Sequence, residues 1–334
     1  MTSLDTPIAS IRAYGYSAVE ARFLHLVATH SGYFLRRQFV AYSRRPWDYC
    51  GSPFGNKLIA KRQGRCIRLA AQGQVFSLCS RCIYKAANSD RLRAHRDHSV
   101  SQIEMRLAIL DFVLSNPDCK YLSSESDKVS YFSAGHDVPT HDLPSREFGG
   151  RHVPYAEERF FTDGNPIFFM ANSSEDVPIF TFSQGSGLDL TGFAQHLKSY
   201  LPLFHRLPRF NFWFLSRHSA LSNQAADLFQ ETVVVPLQSN PSSQLLRYFR
   251  IRKQWDYGNR ESITADDLVF QGEVRSRFAS SRFENLYHAW RTDHLSEAEI
   301  RSRIGGRDEP HSVGFKAQVV EPVGEPKKLE GVSR

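Results

Sequence analysis

Three helical patterns occupy the first sixty residues of the chain. Residues 17–30 open with Ser17 and Glu20, the spacing of a capping box, and continue with apolar residues at helical intervals. A second short helix is predicted over 33–42. A third is predicted over 52–63, because a serine followed by a proline is a common helix start and a glycine closes the segment.

A β-hairpin is predicted directly after the third helix. Residues 65–69 and 74–78 are short alternating runs, and the four residues between them end in glycine, which suits a hairpin loop. Three short helices followed by a hairpin is the element order of a winged helix-turn-helix. We therefore expect residues 1–98 to form such a domain.

The pattern changes after a further helix, predicted at 101–114 with Ser101 and Glu104 in capping-box spacing. The next segments alternate between strand and helix patterns: strands at 159–162, 166–171 and 177–183, a helix at 190–207, a strand at 210–216, a helix at 221–230 and a strand at 231–236. The first two strands are expected to pair as a hairpin that turns at 163–165. Helices continue to about residue 303.

These patterns predict an α+β protein in which an α/β domain with C-terminal helices, 99–304, follows the winged helix. Three strands, a helix and a strand after a first helix is an order similar to the restriction-endonuclease-like core. In that core an Asp on the second strand and an Asp/Glu-x-Lys on the third bind Mg²⁺. Asp163 is a candidate for the first carboxylate, but residues 178–184 contain neither a carboxylate nor a lysine. We therefore expect a degenerate core that is not an enzyme.

Charge is distributed unevenly along the chain. Residues 1–100 contain 16 Lys and Arg against 5 Asp and Glu, whereas the remaining residues carry a net charge of −4. Such a local excess of positive charge favours a polyanionic partner, because each cation that neutralises a phosphate releases a counterion. A solvated basic face, or a dock for an acidic protein, is the alternative. Residues 305–334 are rich in Gly, Pro and charge, which predicts a disordered tail.

The residues expected to contact double-stranded DNA fall into two groups. The third helix lies in the major groove of a helix-turn-helix complex, and its exposed polar residues are candidates for base contacts near its start: Asn56, Lys57, Lys61 and Arg62. The other basic residues are candidates for phosphate contacts: Arg36, Arg37, Arg44, Arg45, Arg65 and Arg68. The alternative is a small helical domain whose basic faces are only solvated.

The first ninety residues also resemble a known family. The segments 21–27, 32–39 and 56–58 are similar to the winged-helix front end of the replication-relaxation family of plasmid and mobile-element proteins. The resemblance covers residues 15–90, and the insert 44–52 departs from it. It implies a DNA-binding regulator or accessory factor of element maintenance, for plasmid or mobile-element replication or transcription.

Cysteine and histidine residues suggest a metal site that is incomplete. Cys79, Cys82, His95 and His98 follow zinc-finger spacing except that the histidines are one residue too close. We favour packed thiols over a zinc site. His and Asp also repeat at 136–142, where we expect a solvated loop. No cofactor is expected, and the five cysteines indicate reduced thiols in a cytoplasm.

Two function classes remain beside DNA binding. A metal-dependent nuclease of a mobile element is one, and a protein-interaction module with a basic face is the other. Arginines and aromatic residues alternate at 243–255, which suits either a nucleic-acid backbone or a contact between domains or copies of the chain. A homodimer is therefore one of the partners that the sequence allows. Neither an apolar run of membrane-spanning length nor a secretory signal is present in the sequence pattern.

Overall fold

The computed structural model describes residues 5–44, 47–70, 72–88, 98–148, 157–171, 176–185, 187–238, 241–275, 278, 281–292, 294–304 and 311–324. This part of the chain contains both helices and strands, in three sheets and a run of helices from Ser222 to Ile304, so the predicted α+β class is confirmed. None of its helices has the length and apolar character that crossing a membrane requires.

The N-terminal unit combines helices with a small sheet. Its elements in chain order are helix α1 (Asp5–Arg12), helix α2 (Ala18–Leu26), a π-helical turn (Val27–Ser31), strand β1 (Tyr33–Leu35), helices α3 (Arg36–Ser43) and α4 (Trp47–Ala60), and strands β2 (Gly64–Leu69) and β3 (Gly73–Leu78). The strands are antiparallel in the order β1-β3-β2. The predicted hairpin is confirmed, and β1 completes the sheet.

Local signals set the start of α2 as the sequence indicates. The Ser17 hydroxyl accepts a hydrogen bond from the Glu20 amide at 3.3 Å, and the Glu20 carboxylate accepts one from the Ser17 amide at 2.7 Å. Two of the four amides that a helix start leaves without partners are thereby satisfied. The capping box is confirmed.

The other two predicted helices differ from the structure at their starts. Residues 33–35 form β1, because they pair with β3, and the helix begins only at Arg36. Helix α4 begins at Trp47 rather than Ser52 and ends at Ala60. Pro53 lies inside this helix. Proline has no amide hydrogen to donate to the helical hydrogen bonds, yet the chain is helical on both sides of it.

Phenylalanine side chains hold α4 in the N-terminal unit. The Phe39 and Phe54 rings stack at 4.1 Å between centroids, and Phe34 and Phe76 stack at 5.1 Å. Phe23 from α2 contacts Phe34, Phe39 and Phe54 edge-on or nearly so. All five are buried, and truncating one to alanine would cost about 3–5 kcal/mol. This core fixes α4 against α2, α3 and the hairpin.

Helices α5 (Arg81–Ala86) and α6 (Val100–Ser115) follow the hairpin. The predicted helix at 101–114 is confirmed, but its capping box is formed by Ser99 and Gln102 rather than by Ser101 and Glu104. The amides of the first turn therefore have partners two residues earlier than the pattern indicated.

Helix α6 packs on both sides. Leu110 belongs to the aromatic core of the N-terminal unit, Ile103 and Leu107 pack beneath β1 and β3, and Ile109 contacts the larger sheet that follows. The predicted boundary at 98/99 would assign α6 to the second domain alone. The structure does not divide the chain there, because α6 supplies core to both parts.

The second unit is built on a mixed sheet of five strands. Its elements before the C-terminal helices are β4 (Cys119–Tyr121), α7 (Glu125–Gly135), β5 (Ser145–Phe148), β6 (Glu157–Phe160), β7 (Ile167–Met170), β8 (Ile179–Ser183), α8 (Thr191–Phe204), β9 (Arg209–Ser216), α9 (Ser222–Phe229) and α10 (Val235–Gln238). A final strand, β10 (Ser312–Val319), gives the order β10-β9-β8-β7-β4. Strands β8, β9 and β10 are parallel, and β7 is antiparallel to both its neighbours.

The hairpin predicted over 159–171 is wrong. Strand β6 pairs with β5 in a separate two-stranded sheet, while β7 joins the large sheet between β4 and β8. The chain turns between them at Phe161, whose φ is +51°, and at Asp163, whose carboxylate accepts the Asn165 amide at 2.9 Å. The predicted turn is therefore present, but it connects strands of two different sheets.

Two further predictions are wrong: the strand at 231–236, and the disordered tail 305–334 where the structure describes it, at 312–319. Residues 305–310 and 325–334 of that predicted tail lie outside the described residues. Residues 231–236 form a π-helical turn and the start of α10 rather than a strand, because continuing α9 places Val233 and Leu237 in the core. Residues 312–319 are a strand rather than disordered tail. Alternate apolar residues there pack inward, with Phe315 contacting Phe229 at 4.9 Å, although the composition of the surrounding segment suggested disorder.

The C-terminal helices share a core of their own. They are α11 (Pro241–Asp256), α12 (Ala265–Val274), α13 (Ser281–Arg291) and α14 (Glu297–Ile304). Leu245, Phe249, Tyr287 and Ile300 are buried at their centre. The helices predicted up to residue 303 are confirmed within the described residues.

Candidate nucleic-acid interface

The turn between α4 and β2 presents two basic side chains to solvent. The Gln63 amide bonds to the Leu58 carbonyl and the Arg62 amide to the Ile59 carbonyl, which is the Schellman ending of a helix. Arg62 occupies the left-handed position of this motif with φ +54°, where glycine is preferred. Lys61 and Arg62 are both exposed.

Strand β2 directs its two arginines to opposite faces of the hairpin. Arg68 lies opposite Gln74 and shares a face with Phe76, which packs against Gly55 of α4. Arg65 lies opposite Ser77, on the face that packs beneath α6. Only Arg68 therefore lies on the side of the hairpin that faces α4.

Five of the predicted residues on α4, β2 and the turn between them are exposed: Asn56, Lys61, Arg62, Arg65 and Arg68. Arg62 and Arg68 have no acidic partner among the described residues. Arg44, also exposed, ends α3 with φ +52°. Arg45 lies outside the described residues.

Asn56 does not lie where the sequence predicts. Because α4 begins at Trp47, Asn56 occupies the second half of the helix rather than its start. The half that faces base edges in helix-turn-helix complexes is the first one. The assignment of Asn56 and Lys57 as base-contacting residues near the helix start is therefore wrong in position.

Lys57 forms an ion pair with Glu20 of α2. Its ammonium lies 2.7 Å from the Glu20 carboxylate and 5.0 Å from the centre of the Tyr16 ring. Glu20 is the same residue that caps α2. Lys57 points towards α2, not outward as predicted, and its positive charge is already balanced.

Arg37, a predicted phosphate contact, forms an ion pair inside the protein instead. Its guanidinium forms two hydrogen bonds to the Asp111 carboxylate, at 2.7 and 2.9 Å, and its side chain is 10% exposed. A fork-to-fork pair in this position is internal to the fold. The predicted phosphate contact is therefore wrong for Arg37, while its neighbour Arg36 is half-buried.

The partner of Arg37 is the centre of a buried network that the sequence analysis missed. Asp111 has no exposed surface, and it also accepts hydrogen bonds from Gln38 at 2.8 Å and Arg217 at 2.6 Å. A signal did exist. Asp111 follows Leu107 and Leu110 at helical spacing, on a stretch of α6 that is otherwise apolar.

The Cys and His residues do not form a metal site in the described part of the chain. Cys79 is half-buried and Cys82 is exposed, so the interpretation as packed thiols is wrong for Cys82. His98 Nδ1 lies 2.7 Å from the Tyr33 hydroxyl, and His95 lies outside the described residues. Among the residues described, no group of three or more His, Cys, Asp or Glu side chains is arranged around a metal position.

Asp163 is held by its neighbours. Tyr200 donates to its carboxylate at 2.9 Å, and His196 Nδ1 lies 3.1 Å away. Burial alone would raise the pKa of Asp163, but the His196 hydrogen bond and the nearby charge of Lys128 hold that pKa well below its usual range. These neighbours keep the Asp163 carboxylate ionised and hold it in place.

The arginines of α11 are paired within the C-terminal helices. Arg247 lies 2.7 Å from Asp267 of α12, Arg250 lies 2.8 Å from Glu297 of α14, and a third pair joins Arg252 to α13. These pairs lie within the C-terminal helices, so they are neither the predicted nucleic-acid contact nor the predicted contact between domains or copies of the chain, and both stay predictions. The pairs join four helices.

Comparison with known proteins does not identify a relative of this chain. No protein-family model, curated protein or solved structure matches the chain. The resemblance of residues 15–90 to the replication-relaxation family stays a prediction, and a functional conclusion has to rest on the arrangement of the residues themselves.

Proposed function

We propose that the N-terminal unit is a winged helix-turn-helix that binds duplex DNA. The helix–strand–helix–helix–hairpin order, with strand order β1-β3-β2, supports this proposal. The observation that carries it is the group of exposed cations running from the end of α4 into the hairpin: Lys61, Arg62 and Arg68. Charge of this kind, unbalanced by described acids, is suited to phosphate.

The two elements have different roles in this proposal. The first half of α4 enters the major groove, and the hairpin is the wing that follows the backbone. Lys61, Arg62 and Arg68 contact phosphates and give affinity without sequence preference. Asn56 lies towards the groove edge, so it contributes less to base recognition than a residue of the first half.

The second unit supports this role without supplying chemistry. When α7, β5 and β6, which lie between β4 and β7 in the chain, are set aside, the order α6, β4, β7, β8, α8, β9 supports a degenerate restriction-endonuclease-like core. Strand β10 extends the sheet as a further parallel strand. Strand β8 offers no carboxylate or lysine, so the proposal assigns this unit to scaffolding. By its resemblance, the chain would act as a regulator or accessory factor of a mobile element.

A pair of charge-matched triple variants tests the proposal. One variant combines Lys61→Gln, Arg62→Gly and Arg68→Gln; the control combines Arg247→Gln, Arg250→Gln and Arg291→Gln, which are exposed arginines of the C-terminal helices. Affinity of the full chain for duplex DNA is measured as a function of salt. We expect the first variant to make the slope of log affinity against log salt less negative by about three, and the control to leave the slope unchanged.

Equal losses in both variants would mean that total charge, rather than this surface, attracts DNA. Circular dichroism and thermal unfolding of both proteins are recorded beside the binding curves. A folded first variant with the affinity and slope of the natural protein would overturn the proposed surface.

A further inference from the structure

Residues 320–324, which follow β10, lie across the Asp111 network. The Val323 amide donates to the Asp111 carboxylate at 3.3 Å, and the Val323 carbonyl accepts from Arg37 at 2.7 Å. The Val320 carbonyl accepts from Arg217 at 3.0 Å. This short segment therefore contacts α3 of the N-terminal unit and the end of β9 together.

The segment adds hydrogen-bond partners to the buried charges. One carboxylate, Asp111, receives two guanidinium groups, from Arg37 and Arg217. The carbonyls of Val320 and Val323 give these guanidinium groups further acceptors in a largely buried place. Removing the segment would take one acceptor from Arg37, one acceptor from Arg217 and one donor from Asp111 at the same time, while the three side chains keep one another as partners. Because these bonds share one network, we expect the segment to detach as a unit.

Gly324 makes the close approach possible. Its φ is +76°, and a Cβ atom there would lie 2.9 Å from the Arg37 carbonyl oxygen and 3.3 Å from Ala41 Cβ. Both contacts are with α3. Any other residue at this position would push the segment away from the helix.

We infer that residues 320–324 are a clamp that fixes α3, and with it the helix pair α3–α4, on the sheet of the second unit. Helix α4 follows because Phe39 and Phe54 stack across the two helices. A change at the clamp is therefore felt at a DNA-binding surface that it does not touch. The link to DNA rests on the proposed function; the clamp itself does not.

Hydrogen exchange on the full chain tests the clamp without DNA. Gly324→Val is compared with Gly258→Val, a matched control whose glycine has φ +77° but open space around its Cβ position. We expect Gly324→Val to speed amide exchange in α3 and in 320–324 by about tenfold or more, because local opening sets these rates. The control leaves both segments at the natural rate.

Two results would overturn the clamp. One is faster exchange in 320–324 with α3 unchanged, which would make the segment a local feature. The other is uniformly faster exchange in every element with both Gly324→Val and the smaller Gly324→Ala, which would mean general destabilisation.

The same variants separate the clamp from DNA binding. We expect Gly324→Val to weaken binding to duplex DNA severalfold with an unchanged salt slope, since the phosphate contacts remain and only their orientation is less fixed. If the natural protein binds no DNA, the proposed function fails while the exchange result still decides the clamp. Unaltered affinity beside faster exchange in α3 would overturn the link to DNA.

Discussion

The arginines of α11 each face a carboxylate of a neighbouring helix, whereas Arg62 and Arg68 face solvent without a described acidic partner. Both regions look alike in the sequence, as basic residues among apolar and aromatic ones. The structure distinguishes them by pairing. Positive charge indicates a polyanionic partner only where the protein's own acids leave it unbalanced.

A third environment lies between these two. Arg37 is near the exposed cations in sequence, yet it is buried against Asp111. Exposed pairs contribute little to stability, while breaking a buried pair leaves an uncompensated charge. The three environments therefore predict effects of very different size and kind when their arginines or partners are replaced.

The largest effect is expected from Asp111→Ala. This change leaves Arg37 and Arg217 without their shared carboxylate, and we expect the free energy of unfolding to fall by about 3–5 kcal/mol. Urea denaturation of the full chain measures it. A loss below about 1 kcal/mol, the range of an exposed pair, would show that the network is not buried as described.

Much of the fold follows from local sequence, and the network does not. The α2 capping box and the β2–β3 hairpin depend on residues a few positions apart, so their patterns identified them. Asp111 lies 74 residues from Arg37 and 106 from Arg217 along the chain. No local pattern shows such contacts.

The start of α4 shows how a local signal misleads. Ser52 and Pro53 form a good helix start, but the helix begins five residues earlier, at Trp47, and continues through Pro53 with Phe54 and Leu58 buried in the core. The candidate site shifts with it: Lys61, Arg62 and Arg68 are exposed as predicted, while Lys57 turns to Glu20.

Arg62→Gly is expected to separate binding from folding. Glycine adopts the left-handed conformation of residue 62 at no steric cost, so stability should hold or rise by up to about 1 kcal/mol. The slope of log affinity against log salt should become less negative by about one, since one phosphate contact is lost. Thermal unfolding and binding titrations measure the two effects. A destabilised protein would show that Arg62 has a structural contact.

A smaller difference is expected between two lysines one turn apart. Lys57 is balanced by Glu20 and Lys61 is exposed, so Lys61→Gln should make the salt slope less negative by about one and Lys57→Gln should change it by less. Parallel titrations with one duplex compare them. Equal slopes would place Lys57 on the DNA surface after all.

The smallest effect is expected from Arg250→Gln. The pair with Glu297 is largely exposed, with side-chain exposures of 57% and 37%, so its loss should cost less than about 1 kcal/mol of unfolding free energy. Urea denaturation beside Asp111→Ala gives the contrast directly. A loss as large as that of Asp111→Ala would remove the distinction between buried and exposed pairs.

The salt dependence of duplex binding by the full chain tests the central claim most directly. Affinity for random-sequence duplex is measured over a range of salt concentrations with protein whose folding is checked by circular dichroism. With Lys61, Arg62 and Arg68 on phosphates, we predict binding at low salt and a slope of log affinity against log salt of about −3 or steeper. A folded protein that shows no binding at low salt, or a slope near zero, would contradict the account.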